Sequence, residues 1–365
     1  KPLDADVGRN EKIRSRLKYF EERGWRTKTF VVEDPDTDNF LLNLLFILFR
    51  CIIATLKLRA YSKQKEKIVI WSMNSPAFLH LPALLVKFFS NNVKWVAEFR
   101  DAMCTEPFYS TKSFGRRLTR SLLEAPTVKY ADRILFPIGG KSSKEYFKAN
   151  YPQNHYKAEY TAYQGYNKEE FNNIKRNKFD KYTITYAGRL YDDWITPISF
   201  LKGFAKFVKE NNLSIEDIQV LFYVKGWRKE YTDLANELNI KKYIKIKGFV
   251  SNDKIKNIIG SSDLVLYIAG SKISNKNMIH SKFYDYIGSK RPLLALSEEG
   301  SKIYEFVYRF NLGYFAKEYN TGEISQALFI AYNENFPGYK DTDEVNEKFD
   351  REKIIKRFYE VIDSV

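Results

Sequence analysis

Three cationic side chains stand where a strand ends or a helix begins, and these are the places where α/β proteins bind anions. Arg189 follows Gly188 at the end of an apolar run, and ligands of open α/β sheets bind beyond the carboxyl ends of the strands. Lys282 directly precedes a predicted helix, so its ammonium group can join the helix N-terminus in holding a phosphate. Lys225 also lies at a predicted strand end. Cations at such positions can bind an anionic group, and an ordinary surface arginine is the alternative for Arg189.

Residue types for metal or redox chemistry are sparse. Cys51 and Cys104 show no CxxC spacing, and the three histidines are scattered along the chain. A disulfide framework or a structural zinc site is therefore not expected, and a reducing cytoplasm fits the cysteine usage. No secretory signal opens the sequence, which is consistent with a cytoplasmic location.

The size and charge of the chain limit its class. A chain of 365 residues favours two domains, and its 44% of hydrophobic residues can fill two cores. The net charge is +15, and most of the excess lies in the first half. Such a surface attracts nucleic acid, anionic lipid or phosphorylated small molecules. The chain has no RNP-like, helix-turn-helix or zinc signature, which argues against a nucleic-acid-binding protein.

Residues 40–58 form a strongly apolar stretch that is nearly long enough to span a membrane. Asn43, Arg50 and Lys57 interrupt it, and a charge near the middle of a lone span costs a few kcal/mol. We therefore predict a buried or interfacial helix.

Strand and helix signals alternate along the chain, which predicts βα units and mostly parallel sheets. In the first half, strands are predicted at 26–32, 67–71, 94–99 and 133–137, and helices at 10–23, 82–89, 115–130 and 142–150. A polar linker is predicted at 167–181. In the second half, strands are predicted at 182–187, 219–224, 244–247, 263–268 and 292–296, and helices at 198–210, 229–238, 253–260, 282–288 and 351–362.

Six segments in this order resemble family-4 glycosyltransferases of the GT-B fold. The second half carries YAGRL (186–190), KIKGFVSNDKIKNIIGSSDLVLYI (245–268) and HSKFYDYIGSKRPLLAL (280–296), and the first half carries VGRNEKIRSRLKYFEERGW (7–25), WVAEFRDAM (95–103) and QGYNKEEF (164–171). The resemblance implies two Rossmann-like domains that face each other across a cleft. We expect an acceptor-side domain at 1–166, a donor-binding domain at 167–345, and a helix at 346–365 that packs back on the first domain.

The resemblance also implies roles for individual residues. The diphosphate of a nucleotide sugar is the leaving group, and GT-B enzymes stabilise its charge with cations and helix N-termini rather than with a metal. The site residues expected from this likeness comprise Asp101 as the catalytic candidate, and Gly8, Arg189, Lys225, Gly248, Phe249, Val250, His280, Lys282 and Asp285 as donor-binding residues.

Several of these expected roles are specific. Asp285 would contact the ribose, residues 248–250 would pair with the base edge, and Gly8 would lie in a loop before the first helix. A solvated helical aspartate is the alternative for Asp285, and a plain turn for 248–250. Asp101 can instead form a structural pair with Arg100. Asp36-Thr37-Asp38 imitates the metal-binding DxD of the other glycosyltransferase fold, but we reject it as a chance match in an early loop.

The implied function is metal-independent hexosyl transfer, with retention, from a nucleotide sugar to a glycan. The acceptor is expected to be lipid-linked, in surface polysaccharide synthesis, with the protein peripheral at the inner face of the cell membrane and near anionic lipid. No cofactor is expected beyond the donor substrate. Two departures from the family pattern weaken the inference: Asn277 stands where a glutamate is usual, and 192–194 lacks the usual lysine, for which Lys225 can substitute. The alternatives are a nucleotide-sugar epimerase of the same fold and a non-catalytic relative that binds glycans or partners.

Overall fold

The protein forms two compact units. The computed structural model describes residues 7–29, 40–63, 68–73, 77–99, 120–137, 147–161, 165–174, 176–191, 194–270, 279–340 and 342–365. One unit comprises Lys1–Tyr163 with Ile354–Val365, and the other comprises Gln164–Lys353. The boundary predicted after residue 166 lies three residues from this division, and the returning C-terminal segment is shorter than the predicted 346–365.

The first unit is built on a parallel four-stranded sheet in the order β1-β2-β3-β4. Its strands are Ile68–Met73 (β1), Val93–Glu98 (β2), Arg133–Pro137 (β3) and Ala158–Thr161 (β4). Its helices are Val7–Glu21 (α1), Phe40–Ser62 (α2), Leu81–Phe89 (α3) and Ala125–Tyr130 (α4), which follows a π-helical turn at Arg120–Glu124. Residues 147–150 are also helical.

Apolar side chains on both faces of the first sheet explain why its strands are buried. One face packs Trp95, Ile134 and Phe136 against α3. On the other face, Val96 and Leu135 pack with Phe20 of α1 and with Phe358 of the last helix. Strands that are buried on both faces appear in a sequence as continuous apolar runs, which is why 94–99 and 133–137 were recognisable.

The second unit is built on a parallel six-stranded sheet in the order β10-β9-β8-β5-β6-β7. Its strands are Tyr182–Arg189 (β5), Ile218–Lys225 (β6), Ile244–Lys247 (β7), Leu264–Ile268 (β8), Leu293–Ser297 (β9) and Gly313–Lys317 (β10). The helices from residue 168 onward are Lys168–Asn172 (α5), Ile198–Glu210 (α6), Lys229–Glu237 (α7), Asn252–Ser261 (α8), Ser281–Ser289 (α9), Lys302–Phe310 (α10), Thr321–Asn333 (α11), Thr342–Phe349 (α12) and Arg351–Asp363 (α13). Large cores cover both faces of this sheet.

The predicted linker at 167–181 is wrong in its first part, because residues 168–172 form a packed helix, whereas the described residues from 173 to 181 are in neither a helix nor a strand. Asn167 caps α5 by accepting a hydrogen bond from the Glu169 backbone N–H at 3.1 Å. Phe171 is buried against Gly288 of α9, where an added Cβ would lie 2.5 Å from the ring. Glu170 pairs with Lys256 and with Arg351. Glu170 therefore serves tertiary ion pairs, whereas most of the other described polar side chains from 168 to 180 are exposed.

Other differences from the sequence-based expectations concern single elements. The strand predicted at 26–32 is wrong for its described part, since residues 26–29 are not in a strand and the remainder is not described. The strands β4 and β10 and the helices α10, α11 and α12 were not predicted. Only the part of the helix predicted at 115–130 from Arg120 onward is described. In the described part of the chain, no helix is both long and apolar enough to cross a membrane.

Candidate functional site

Two exposed cations lie side by side at the carboxyl edge of the second sheet. Arg189 is the last residue of β5 and Lys225 is the last residue of β6, and the two are register partners in the parallel pair. The Arg189 guanidinium lies 5.9 Å from the Tyr191 ring centroid. Neighbouring like charges repel one another, and a bound anion relieves that repulsion. This edge is therefore suited to an anionic ligand.

An exposed aromatic ring stands next to this pair of cations. Phe249 follows β7 and is 75% exposed, and the Lys225 ammonium lies 4.7 Å from its ring centroid. Gly248 has nothing within 4 Å of a built Cβ, so the backbone there is open to a ligand. Val250 is half-buried two residues before α8. An exposed phenyl ring at a cationic edge can stack on a nucleotide base.

Lys282 runs beneath the end of β5. Its Nζ donates a hydrogen bond of 2.8 Å to the Tyr186 hydroxyl and lies 4.2 Å from that ring's centroid. The Tyr186 hydroxyl in turn donates to the Arg189 carbonyl oxygen at 3.1 Å. Gly188 adopts φ +151°, and a Cβ on it would lie 3.3 Å from Lys282 Cδ. The glycine thus lets the lysine side chain pass directly under the Gly-Arg turn.

Burial weakens the proton affinity of this lysine. It lowers the pKa of Lys282 from 10.5 to about 7, and the nearby Glu318 carboxylate opposes that shift. The ammonium faces the rings of Tyr186 and Tyr267, which give cation–π attraction but no counter-charge. An anionic ligand at this point would restore the charged form of the lysine.

Glu318 is a buried acid that the sequence reasoning missed. It directly follows β10 and is 5% exposed, and its Oε2 has no hydrogen-bond partner among the described residues. Burial raises its pKa to about 8, while a hydrogen bond from the Gly270 backbone N–H and the charge of Lys282 oppose this. Glu318 was not among the predicted site residues because β10, the short edge strand before it, was not predicted.

Two of the expected donor-site residues lie on or next to α9. His280 caps this helix, and its Nε2 lies 3.0 Å from the Ala269 carbonyl oxygen. That distance requires a proton on Nε2. Burial lowers the pKa of His280 to about 4, so the ring is neutral near pH 7. Asp285 is half-buried on α9, one turn after Lys282.

A groove of about 600 Å³ opens at the carboxyl ends of β9 and β10. Its lining residues all have polar or ionisable side chains, with more acidic than basic groups: Ser297, Glu298, Glu299, Lys317, Glu318, Tyr319, Asn320 and Thr321. Hydroxyl and carboxyl groups of this kind can hydrogen-bond to a sugar, whereas acidic side chains disfavour a phosphate.

The structure does not place the expected residues of the first unit in a described ligand site. The catalytic candidate Asp101 lies outside the described residues, as does Asn277 in the second unit. The loop expected around Gly8 is wrong, because α1 already begins at Val7 and Gly8 is helical. His80, one of two histidines in the first unit, is fully buried with Nδ1 2.7 Å from the Ser72 hydroxyl oxygen, so its described contacts are structural.

The structure thus groups Arg189, Lys225, Phe249 and Lys282 around the carboxyl ends of β5 and β6 and the loop that follows β7. His280 and Asp285 share α9 with Lys282. All of these residues belong to the second unit.

The sequence matches no protein-family model and no curated protein. Among solved structures, the chain is similar to a TarM variant from S. aureus in complex with fondaparinux, α-GlcNAc-glycerol and UDP. Here the TM-score is 0.56 at 12% identity, over 86% of this chain and 59% of TarM. It is also similar to the lipopolysaccharide outer core galactosyltransferase WaaB, with a TM-score of 0.59 at 11% identity, over 87% of this chain and 81% of WaaB.

A third similar structure is a Listeria monocytogenes protein assigned as a UDP-N-acetylglucosamine 2-epimerase. Its TM-score is 0.54 at 11% identity, over 91% of this chain and 82% of that protein. Together with the two parallel sheets, the likeness to glycosyltransferases establishes the GT-B fold with Rossmann-like units, as the sequence predicted.

Proposed function

We propose that this protein is a glycosyltransferase that binds a nucleotide sugar at the carboxyl edge of the second sheet and transfers its sugar to a glycan. The observation that carries the proposal is the convergence of Arg189, Lys225 and Lys282 at one edge, with Lys282 passing under Gly188. Three cations without an acidic partner within 4 Å among the described residues are suited to a diphosphate.

The chemistry follows from where charge develops. When the bond from the sugar to the diphosphate breaks, the leaving group gains negative charge. Preplaced cations stabilise that charge more in the transition state than in the ground state, and this difference accelerates the reaction. Arg189 offers a planar fork for two phosphate oxygens, and the Lys282 ammonium adds a compact charge from beneath the turn.

We further propose that the donor is a uridine nucleotide sugar of the hexose type. The support is the UDP found with TarM and the exposed Phe249 ring, which can stack on a base. Asp285 would accept ribose hydroxyls, and His280, Gly248 and Val250 would border the nucleotide. Gly8 and Asp101 stay proposals for phosphate and acceptor contacts. The polar groove near Glu318 offers sugar-binding groups at the same edge of the sheet.

The remaining parts of the proposal concern the acceptor and the setting. We propose retention of configuration, no metal requirement, and a lipid-linked glycan acceptor in surface polysaccharide synthesis. The protein would work in the cytoplasm, peripheral to the inner face of the membrane. The galactosyltransferase WaaB, which its name connects with lipopolysaccharide, supports this setting, as does the basic charge of the chain.

Isothermal titration with UDP, GDP, CMP, dTDP and ADP tests the donor site, with Arg189→Ala as the site variant. The matched control is Lys242→Ala, because Lys242 is an exposed cation that precedes β7 at the opposite edge of the sheet. We expect UDP to bind best, and Arg189→Ala to weaken it at least about tenfold, in line with the loss of one charge-assisted hydrogen bond. Equal losses in both variants, or no binding of any nucleotide, would contradict the proposed site.

Epimerisation of a nucleotide sugar is the second candidate, favoured by the likeness to the Listeria protein. Incubation with UDP-N-acetylglucosamine in the absence of any acceptor separates the two. Release of UDP only when a glycan acceptor is added indicates transfer. A change in the sugar's configuration without acceptor indicates epimerisation.

A further inference from the structure

The helix α2 carries two apolar stripes, and among the described residues one is buried and the other is exposed. Cys51, Ala54 and Leu58 face inward: Cys51 and Ala54 are buried, and Leu58 packs against the core of the first unit. The opposite stripe is exposed and comprises Phe49 (60%), Ile52 (55%) and Leu56 (61%). Positions 49, 52 and 56 repeat at helical spacing and therefore form one continuous face.

A second apolar element extends this face. Phe88 and Phe89 at the end of α3 are 64% and 62% exposed. The Arg59 guanidinium of α2 lies 5.6 Å from the Phe89 ring centroid, which joins the two helix ends. We use the name α2–α3 face for Phe49, Ile52, Leu56, Phe88 and Phe89. Contiguous exposed apolar side chains of this size mark an interaction surface.

Charge identifies what the α2–α3 face would contact. The exposed stripe continues at the same spacing into Arg59 and Lys63, and Lys57 is exposed beside it. The α2 sequence contains no acidic residue. A helix with bulky apolar residues on its outer side and cations beside them is typical of proteins that lie in the interface of an anionic bilayer. A second copy of the chain fits less well, because a twofold contact would bring the same cations together.

We propose that the α2–α3 face inserts into the surface of a membrane that contains anionic lipid. Phe49, Ile52, Leu56 and Phe89 would enter the boundary between headgroups and acyl chains. Arg59 and Lys63 would lie at the level of the lipid phosphates. The proposed function gives a reason for this location, a lipid-linked acceptor, but the face itself is argued from its exposure and charge alone.

Cosedimentation of the full chain with lipid vesicles tests this proposal. One set of vesicles contains phosphatidylcholine only, and the other contains about one third phosphatidylglycerol, which supplies the surface potential. We expect tight binding to the anionic set that weakens as salt rises. Leu56→Gln with Phe89→Gln should lower the partition coefficient at least about tenfold, since two exposed apolar groups lose their favourable transfer. Arg59→Gln with Lys63→Gln should lower it roughly thirtyfold on anionic vesicles only.

Phe329→Gln is the matched control, because Phe329 is an exposed aromatic residue on α11 of the second unit. It should bind vesicles like the parent protein, and thermal melting should show that all variants remain folded. Unchanged vesicle binding by the apolar double variant overturns the proposal, as does failure of the parent protein to bind. A dimer that dissociates in the apolar double variant identifies the face as a self-interface and also overturns it. UDP affinity, measured without vesicles, separates this result from failure of the proposed function.

Discussion

The affinity for a nucleotide sugar should fall as pH rises from 6 to 8, because Lys282 changes charge in that range. Burial lowers the pKa of Lys282 to about 7, and binding of a diphosphate requires the ammonium form. The protonated fraction is then about 0.9 at pH 6 and about 0.1 at pH 8, so the apparent Kd should rise about tenfold, or about 1.4 kcal/mol. The ligand should also draw protons from the buffer, about 0.1 per site at pH 6 and about 0.9 at pH 8.

Calorimetry with UDP-glucose and UDP-N-acetylglucosamine measures both quantities. These donors are chosen over UDP because a terminal phosphate ionises near pH 6 and would confuse the profile. Repeating each titration in buffers of different ionisation enthalpy gives the proton uptake directly. Lys282→Arg should bind with a nearly flat pH profile, since a guanidinium stays charged throughout. Lys282→Met should bind weakly at every pH.

The other groups around Lys282 have separable effects. The pKa of His280 is lowered to about 4, so this ring stays neutral over the whole range. Glu318, whose pKa is raised to about 8, gains charge near the top of the range and would add repulsion in the same direction. Glu318→Gln removes that repulsion, and it should also lower the pKa of Lys282 further, because the Glu318 carboxylate opposes the lowering. A flat profile in the parent protein, or an equally steep one in Lys282→Arg, would refute the assignment of the charge change to Lys282.

Three predictions concern stability. Burial lowers the pKa of His80 to about 3, so between pH 6.5 and 4.5 only the unfolded chain takes up a proton at this histidine. The free energy of unfolding should therefore fall by about 2 kcal/mol over that range. In urea titrations, His80→Asn should lose this pH dependence. Gly288→Ala should destabilise by about 1–3 kcal/mol, while Gly248→Ala, with open space around its Cβ, should change thermal unfolding little. Arg16→Met breaks a buried ion pair with Glu98 at 2.9 Å and should lower the free energy of unfolding by about 3–5 kcal/mol. Adding Glu98→Gln to that variant should lower it much less than Glu98→Gln does alone. Additive losses would contradict coupling of the pair.

The strands of the second unit were predictable because of where they lie in the sheet. The strands β5, β6, β8 and β9 lie inside the sheet and are mostly buried. The strands β8 and β9 therefore appear as continuous apolar runs, and β5 and β6 as runs of mainly aromatic and β-branched residues. The strand β10 is at the edge, and its first three residues are only half-buried. Its sequence, GYFAK, is short and begins with glycine, and it lacks such a run.

The site was predictable to the extent that it depends on strand ends. Arg189 and Lys225 were found because the end of each strand could be located, and parallel pairing then makes them neighbours. Glu318 could not be found, since its burial depends on β10 pairing with β9 and on the Gly270 backbone. The helix α5 was predicted as a linker for a related reason. The ion-pair partners of Glu170 lie 86 and 181 residues away in sequence, so the local sequence does not show that this segment is packed.

The route of the chain through the two units has a consequence for biosynthesis. The second unit is one uninterrupted segment, Gln164–Lys353, whereas the first unit also needs Ile354–Val365. Phe358 and Ile362 from that late segment complete the core that contains Phe20, Val96 and Leu135. On a ribosome, domains fold as their residues emerge, so the second unit can finish folding while this core still lacks one side. The first unit is thus begun first during translation and completed last.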